Sequence, residues 1–333
     1  MIQYLIMAFL SFTLCFCQSK VGTTAASFLG IGAGSRAWGM AGAMTAYPAD
    51  ASIIYWNPGA ISRIEGNQIH FTNSNWLVGS KWNLMSAVFH LASTNAMGIY
   101  IIHLDYGDEE VTTLDQQSGT GDYWSASDMA IGVSFAQNLT DRFSMGGTVK
   151  YIHQSIYHET ASSSALDLGL IYQNVKGNLR MGMNIANIGF DMIMDGKDLL
   201  KRIDLDPESE GNNETIVAKL KTDYWPLPII FRVGVSADIM HTTFMKWTIS
   251  MDGVIPSDDV EHLNIGSEWN IYEDIFFRAG LRHLGKRDSE ESITLGVGTK
   301  LFLLNLPLEC NYAYQDFGIF GGLSHIGLTL QLD

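Results

Sequence analysis

The chain has 333 residues, of which 17% are charged and 47% are hydrophobic, so it can form a large ordered domain and is not a disordered protein. Its formal net charge of −15 and the lack of any run of Lys and Arg exclude nucleic acid as a partner, because phosphate binding requires clustered basic side chains. The 33 Gly, 16 Phe and 13 Tyr residues favour long strands over helices.

Residues 1–17 have the pattern of a cleaved export signal. The segment from Leu5 to Cys17 is almost entirely apolar, which suits a signal-peptide hydrophobic region and is too short for a membrane-spanning helix. Cleavage is predicted between Cys17 and Gln18, and the alternative for this segment is a buried N-terminal helix. With the signal removed, the mature chain keeps Cys310 alone and cannot form an internal disulfide.

The segment 18–66 differs in pattern from the rest of the chain. Gly32 and Gly34 belong to a motif that matches the dinucleotide-binding fingerprint in form, but no β-branched strand precedes it and no alternation of strands and helices follows. Glycines at this spacing more often let one stretch of backbone pass close to another. Residues 50–59 predict a short helical turn that ends before Pro58, because the residue before a proline is disfavoured in the helical conformation.

From residue 67 to residue 333 the dominant hydrophobic period is two, as in β-strands. In residues 128–139, large apolar side chains alternate with Gly, Ala and Ser, and the same alternation recurs in at least five later segments. The segments are roughly 9 to 12 residues long, which suits a tilted strand that crosses a bilayer, whereas soluble strands average about 5 or 6. A soluble sandwich is the alternative, but its polar face would be rich in Lys, Glu and Thr.

The segments number about fourteen, an even number as bacterial membrane barrels require. If the first strand runs outward, the two longest connections, 106–127 and 188–228, both lie outside the cell, and both are acidic. Connections on the other side are short. Aromatic side chains in the outer connections are consistent either with a protein interface or with the aromatic girdle of a membrane protein. These side chains are Tyr123, Trp124, Tyr224 and Trp225.

Charges on the small-residue face are expected to form ion pairs inside the barrel, because an enclosed charge needs a partner. Asp167 is paired with Arg180 in this prediction, and Arg232 with Asp238. Arg36 is expected to anchor the N-terminal segment to an inward acid. The acids considered for Arg36 are Asp167, Asp238 and Glu268. The nine histidines show neither metal-ligand spacing nor a catalytic-triad order, so no catalytic residue, metal or cofactor is predicted.

A set of motifs between residues 21 and 62 resembles the start of the PorV/PorQ family of FadL-like outer-membrane barrels. The residues that carry this resemblance, and that we take as the plug motif, are Phe28, Gly32, Gly34, Arg36, Gly39, Met40, Gly42, Asp50, Tyr55, Trp56, Asn57 and Pro58. The resemblance implies an all-β fold: a transmembrane antiparallel β-barrel of about 14 strands with an N-terminal plug segment that contains short helices. The predicted division is a signal peptide at 1–17, a plug at 18–66 and a barrel at 67–333.

The same resemblance implies an outer-membrane protein of the type IX secretion system. PorV-like proteins associate with a large translocon barrel and bind the C-terminal signal domains of cargo proteins. The expected partners are therefore outer-membrane lipid, a translocon barrel and cargo signal domains. The alternative function is a FadL-like conduit for hydrophobic small molecules, which would place a hydrophobic ligand or lipid in the lumen.

Overall fold

We describe residues 21–203, 216–287 and 289–332 from a computed structural model of the chain. The predicted export signal, residues 1–17, lies outside these described residues. Most of the described chain forms long antiparallel strands, and its few helices are one or two turns long. None of these helices has the length and apolar composition needed to cross a membrane.

Fourteen antiparallel strands form a closed barrel, in agreement with the predicted fold class. The strands are β1 Gln68–Asn75, β2 Lys81–Ala92, β3 Asn95–Glu110, β4 Tyr123–Asn138, β5 Phe143–Ile156, β6 Glu159–Gln173, β7 Leu179–Gly189, β8 Ile230–His241, β9 Met245–Pro256, β10 His262–Ile271, β11 Ile275–Leu284, β12 Ile293–Leu303, β13 Leu306–Asp316 and β14 Gly322–Gln331. Each strand pairs with the next, and β1 pairs with β14 from Gln68↔Gln331 to Asn75↔Ser324. Closure leaves the barrel wall without a free edge in the hydrocarbon region.

The two faces of the wall follow the alternation in the sequence. On β4, Val133 and Phe135 face outward and are each 47% exposed, whereas Ala130, Ser134 and Ala136 face inward and are buried. Other strands repeat the pattern, so the large apolar side chains contact lipid and the small ones line the lumen. The apolar outer face of the wall is therefore the face in contact with lipid, as predicted.

Connections at one end of the barrel are short turns and those at the other end are mostly longer. The short turns are 93–94, 139–142, 174–178, 242–244, 272–274 and 304–305. In outer-membrane barrels the short turns lie on the periplasmic side, so the chain end after β14 also lies there. The 190–229 connection is the longest outer loop, and the 157–158 turn is an exceptionally short one.

Two strands begin earlier than the hydrophobic pattern predicts. β4 begins at Tyr123 instead of near residue 128, and β6 begins at Glu159 instead of near residue 165. The added residues lack the aliphatic alternation and are mostly polar, aromatic or small, and they pair with partners on β3 and β5 above the apolar band. Alternation of apolar side chains therefore marks the part of a strand in lipid and misses the part that extends into water.

The outer loop 190–229 contains further short elements. The strand Asp195–Gly196 adds to the outer end of β6, and the strands Leu200–Ile203 and Ile216–Lys219 form a separate two-stranded ribbon. The remaining short helical turns in the connections are Leu77–Gly79, Lys197–Leu199 and Gly318–Phe320.

The segment 21–66 lies inside the barrel and forms the plug. Its helical elements are the 3₁₀ turns Ser27–Gly30 and Pro58–Arg63 and the short α-helices α1 Ser35–Gly39 and α2 Ile53–Trp56. The second 3₁₀ turn starts where the sequence predicts a break, because Pro58 follows Asn57 and the Asn57 side chain accepts a hydrogen bond from the Gly59 N–H group. The plug starts near the outer loops and ends near the periplasmic turns.

Candidate functional site

A buried ion-pair cluster joins helix α1 of the plug to the barrel wall. The Arg36 Nε donates to Glu268 Oε2 over 2.8 Å, and the same carboxylate accepts from Arg278 on β11. Glu309 on β13 contacts both arginines at 3.3 to 3.4 Å. Asp50 of the plug lies 3.9 Å from Arg36. Three strands and two parts of the plug therefore meet at one buried network.

Aromatic rings complete this cluster. The Tyr47 hydroxyl donates to Glu268 Oε1 over 2.6 Å, and burial raises the pKa of this phenol, which keeps it protonated as a donor. Arg36 and Arg278 both lie over the Phe276 ring, 4.9 and 5.1 Å from its centroid. The guanidinium groups thus have carboxylates at their edges and an aromatic face beside their planes.

Polar contacts hold the plug on other sides of the barrel as well. The Asp252 carboxylate on β9 accepts from the Thr45 N–H group over 2.8 Å. The Asn57 amide donates to the carbonyl oxygens of Thr45 and Leu170, at 2.7 and 2.9 Å. Further contacts reach β2, β5, β11 and β12 through Ser86, Ser144, Arg282 and Thr294.

The plug-motif residues are almost all buried in this packing. Phe28, Met40, Tyr55 and Trp56 belong to the hydrophobic core inside the barrel, where the Trp56 indole donates to the Ala33 carbonyl over 2.7 Å. Tyr55 donates to the Leu29 carbonyl over 2.6 Å. The motif glycines mark close approaches. They are Gly32 and Gly42 beside Trp56, Gly34 beside Ser52, and Gly39 beside Gly296 of β12.

Two predicted ion pairs are wrong in their partners. Asp167 does not pair with Arg180; it pairs with Lys150 on the preceding strand β5, at 2.8 Å. Arg180 pairs with Asp238 on the following strand β8. Arg232 does not bind Asp238 and donates instead to Asn184 over 3.1 Å. The cause is register: Arg180 pairs with Ser236, close to Asp238, whereas Asp167 lies at a bulge farther along β6.

Several residues of this network are absent from the sequence-based prediction. They are Lys150, Asn187, Asp252, Arg278 and Glu309. Each faces inward on a strand whose outward neighbours are apolar. A search for every charged side chain at an inward position would have found four of them, since an inward charge in a membrane barrel needs a partner.

Two cavities lie at opposite ends of the plug. The outer cavity, about 420 Å³, has Trp56, Trp76 and Ile230 in its apolar wall. Its cationic side chains are Arg232, Arg282 and Lys286, and its acids are Asp258, Asp259 and Glu291. The periplasmic cavity, about 480 Å³, is mainly polar and has plug residues 47–50 in its lining. Among the described residues no group of three or more His, Cys, Asp or Glu side chains is placed to hold a metal ion.

An aromatic group lines the outer part of the lumen near β1 and β14. Trp38 of helix α1 stacks on His325 with ring centroids 3.8 Å apart, and its edge meets Trp82 at 4.9 Å. Trp76 in the first outer loop stacks on Trp38 at 6.5 Å and contacts Phe317 at 5.7 Å. Packing of large rings therefore continues from the plug to the outer loops.

The outer loops expose aromatic side chains to solvent. Phe190 is 77% exposed, Tyr224 is 66% exposed and Trp225 is 48% exposed, and all three belong to the loop 190–229. Tyr123 is 63% exposed at the start of β4. Aromatic side chains of this kind are enriched in protein interfaces, and they also form the girdles of membrane proteins.

A closed barrel with apolar outer faces and a lumen filled by an N-terminal plug defines an outer-membrane barrel with a FadL-like fold. Solved structures agree with this class at the level of the fold. The CymD monoaromatic hydrocarbon channel matches with a TM-score of 0.58 and 13% identity over 90% of this chain and 96% of its own. A Pseudomonas aeruginosa FadL homologue matches with a TM-score of 0.54 and 11% identity over 95% of this chain and 100% of its own. The Ralstonia pickettii toluene transporter TbuX matches with a TM-score of 0.52 and 12% identity over 90% of this chain and 97% of its own.

The family is shown by the sequence itself. The family model described as type IX secretion system protein PorV matches residues 16–200, which is more than half of the chain. The chain therefore belongs to the PorV family, and it is an outer-membrane barrel associated with type IX secretion. No curated relative matches it.

Proposed function

We propose that this barrel acts by holding a protein partner at its outer surface while its lumen stays closed. The partner is a translocon barrel or the C-terminal signal domain of a cargo protein, as expected for the family. The observation that carries the proposal is the plug, which contacts the wall on different sides of the barrel, through Arg36 at β10, Asn57 at β6 and Ala51 at β2. Because the plug is fixed to the wall in this way, we favour binding of a partner at the protein surface over passage of a molecule through the lumen.

The described parts of the outer loop, residues 190–203 and 216–229, are the surface we assign to the partner. Phe190, Tyr224 and Trp225 together supply large rigid rings, which contribute most to binding when a partner buries them. The proposal assigns no catalytic step to the protein. We also propose that residues 1–17 are an export signal cleaved before Gln18 and that the plug and barrel domains divide near residue 66.

The second candidate is a conduit for hydrophobic small molecules. The outer cavity of about 420 Å³ favours it, as do the named hydrocarbon channels among the neighbours. A neutral hydrocarbon is a poor ligand for this cavity, because Arg232, Arg282 and Lys286 line it together with the apolar residues. Charged side chains in a binding site lose hydration to such a ligand without gaining a partner.

The experiment is affinity capture of the tagged barrel from its own membranes, with captured proteins identified by mass spectrometry. The double variant Tyr224→Ala/Trp225→Ala is compared with a control, Phe244→Ala/Tyr272→Ala, which removes exposed aromatic rings from periplasmic turns. We expect a translocon barrel or a protein with a C-terminal signal domain to be retained by the wild type and the control and lost with the outer variant. The conduit would be favoured by two results together: the wild type captures neither a translocon barrel nor a protein with a C-terminal signal domain, and a hydrophobic molecule is extracted from the purified barrel in stoichiometric amount.

A further inference from the structure

The last residues of the outer loop hold the first residues of the plug. The Ala25 N–H group donates to the Pro226 carbonyl over 2.9 Å. Two residues later in the loop, the Pro228 carbonyl accepts from the Asn187 amide over 2.6 Å. Loop residues 226–228 therefore bind the plug on one side and the end of β7 on the other. We call these three residues the clasp.

The clasp is packed into the interior of the protein. Leu227 is buried, and so is Met192 at the start of the same loop. Both belong to the hydrophobic core that includes Ala26 and Phe28 of the plug. Met192 and Trp225 also exchange two backbone hydrogen bonds, at 2.8 and 2.9 Å, which close the base of the loop. A change in position of the loop base therefore changes the packing around the start of the plug.

Asn187 connects the clasp to the barrel wall. Its backbone has φ of 67°, a left-handed conformation that Asn adopts more readily than most residues. Its N–H group donates to Asp167 over 2.7 Å, and Asp167 pairs with Lys150 on β5. The Asn187 side chain contacts both Lys150 and Pro228. One residue at a strand bulge therefore fixes the loop end relative to three strands.

We propose that the clasp couples the exposed aromatic surface to the plug, so that a partner bound at Tyr224 and Trp225 stabilises the start of the plug, and the reverse. The backbone of Trp225 holds the loop base while its ring is 48% exposed, and the next residue binds Ala25. Coupling between two sites is reciprocal by thermodynamic necessity. This inference rests on the proposed function for the partner, whereas the coupling itself is a property of the chain alone.

The test is hydrogen exchange, followed by mass spectrometry, on the purified barrel in detergent micelles without a partner. The variant Asn187→Asp keeps an acceptor for Lys150 and removes the donor to Pro228. We expect amide exchange at residues 25 and 26 of the plug to increase by between about 5-fold and 150-fold. The matched control is Asn178→Asp, in a periplasmic turn where the side chain only accepts a hydrogen bond. Leu227→Ala tests the packing of the clasp independently, with the same expected result.

The reverse direction uses a variant that does not touch the loop. The Gln154 side chain accepts from the Ala26 N–H group, so Gln154→Ala releases the start of the plug from the outer end of β5 and leaves the other plug contacts of that strand in place. Coupling predicts faster exchange at Met192 and Trp225 in this variant. The proposal would be overturned if the loop variants left amide exchange at residues 25 and 26 unchanged and Gln154→Ala left amide exchange at Met192 and Trp225 unchanged. Because no partner is present, that outcome is independent of whether affinity capture finds one.

Discussion

Gly146 on β5 lies directly against the Pro58 carbonyl of the plug: a Cβ atom placed on Gly146 would be 2.6 Å from that oxygen. The neighbouring Gly147 faces outward, where an added Cβ would meet nothing nearer than 3.4 Å. Gly59 and Gly169 repeat the relationship on β6, since a Cβ on Gly59 would be 2.5 Å from the Gly169 carbonyl oxygen. The backbone of the wall contacts the backbone of the plug at these positions, because the inward residues of the wall are glycines and have no side chain to separate the two.

The first prediction compares two adjacent glycines. Gly146→Ala should destabilise the folded barrel by about 1 to 3 kcal/mol, because the added methyl group overpacks the contact with the plug backbone. Gly147→Ala makes the same chemical change on the lipid-facing side and should change stability by less than about 0.5 kcal/mol. Urea unfolding of both variants in lipid vesicles measures the difference. Equal stability of the two variants would contradict the close fit of plug and wall.

The second prediction concerns the ion-pair cluster. Arg36→Ala should leave the barrel folded but make the N-terminal segment sensitive to protease, because it removes the link from helix α1 to β10. Glu268→Gln should cost more, about 3 to 5 kcal/mol, since it removes the nearest carboxylate from both Arg36 and Arg278 and leaves them only the more distant contact with Glu309 as a shared ion pair. Limited proteolysis and urea unfolding together measure the two effects. An Arg36→Ala variant with the protease resistance of the wild type would count against the anchor.

The sequence predicts the barrel well because one local rule determines most of it. Side chains of a strand alternate between faces, so a row such as Met129, Ile131, Val133 and Phe135 identifies both a strand and its lipid side. Loop lengths then give the orientation in the membrane. Neither step requires knowledge of which residues meet across the lumen.

Contacts across the lumen could not be predicted in the same way. Arg36 and Glu268 are 232 positions apart, and their meeting depends on how the plug enters the barrel. The partner of Asp167 depends on a one-residue bulge in the pairing of β6 with β7, which no pattern of hydrophobicity records. The inward position of a charge is local information, whereas its partner is set by the register of the whole wall.

The third prediction tests lipid contact by depth along one strand. Val133 lies in the apolar outward row of β4, and Ser127 is on the same face nearer the outer end. Val133→Lys should cost about 2 to 4 kcal/mol of folding free energy in a bilayer, and Ser127→Lys about 0 to 1 kcal/mol. Reversible folding into lipid vesicles, followed by tryptophan fluorescence, measures both. A larger loss at Ser127 would mean that the apolar band has been placed at the wrong height.

The fourth prediction concerns Asn57, which is fully buried and binds three backbone groups. Its amide donates to the Thr45 and Leu170 carbonyls and its oxygen accepts from the Gly59 N–H group. Asn57→Ala removes all three hydrogen bonds, and each buried polar group that is left unsatisfied costs about 1 to 3 kcal/mol. We therefore expect a loss of at least about 2 kcal/mol in urea unfolding and earlier proteolysis of the plug. Asn83→Ala, which removes one partly buried contact with Asn73 on the outer face, is the control and should cost less than about 1 kcal/mol. Similar losses in the two variants would show that Asn57 does not join the plug to β6.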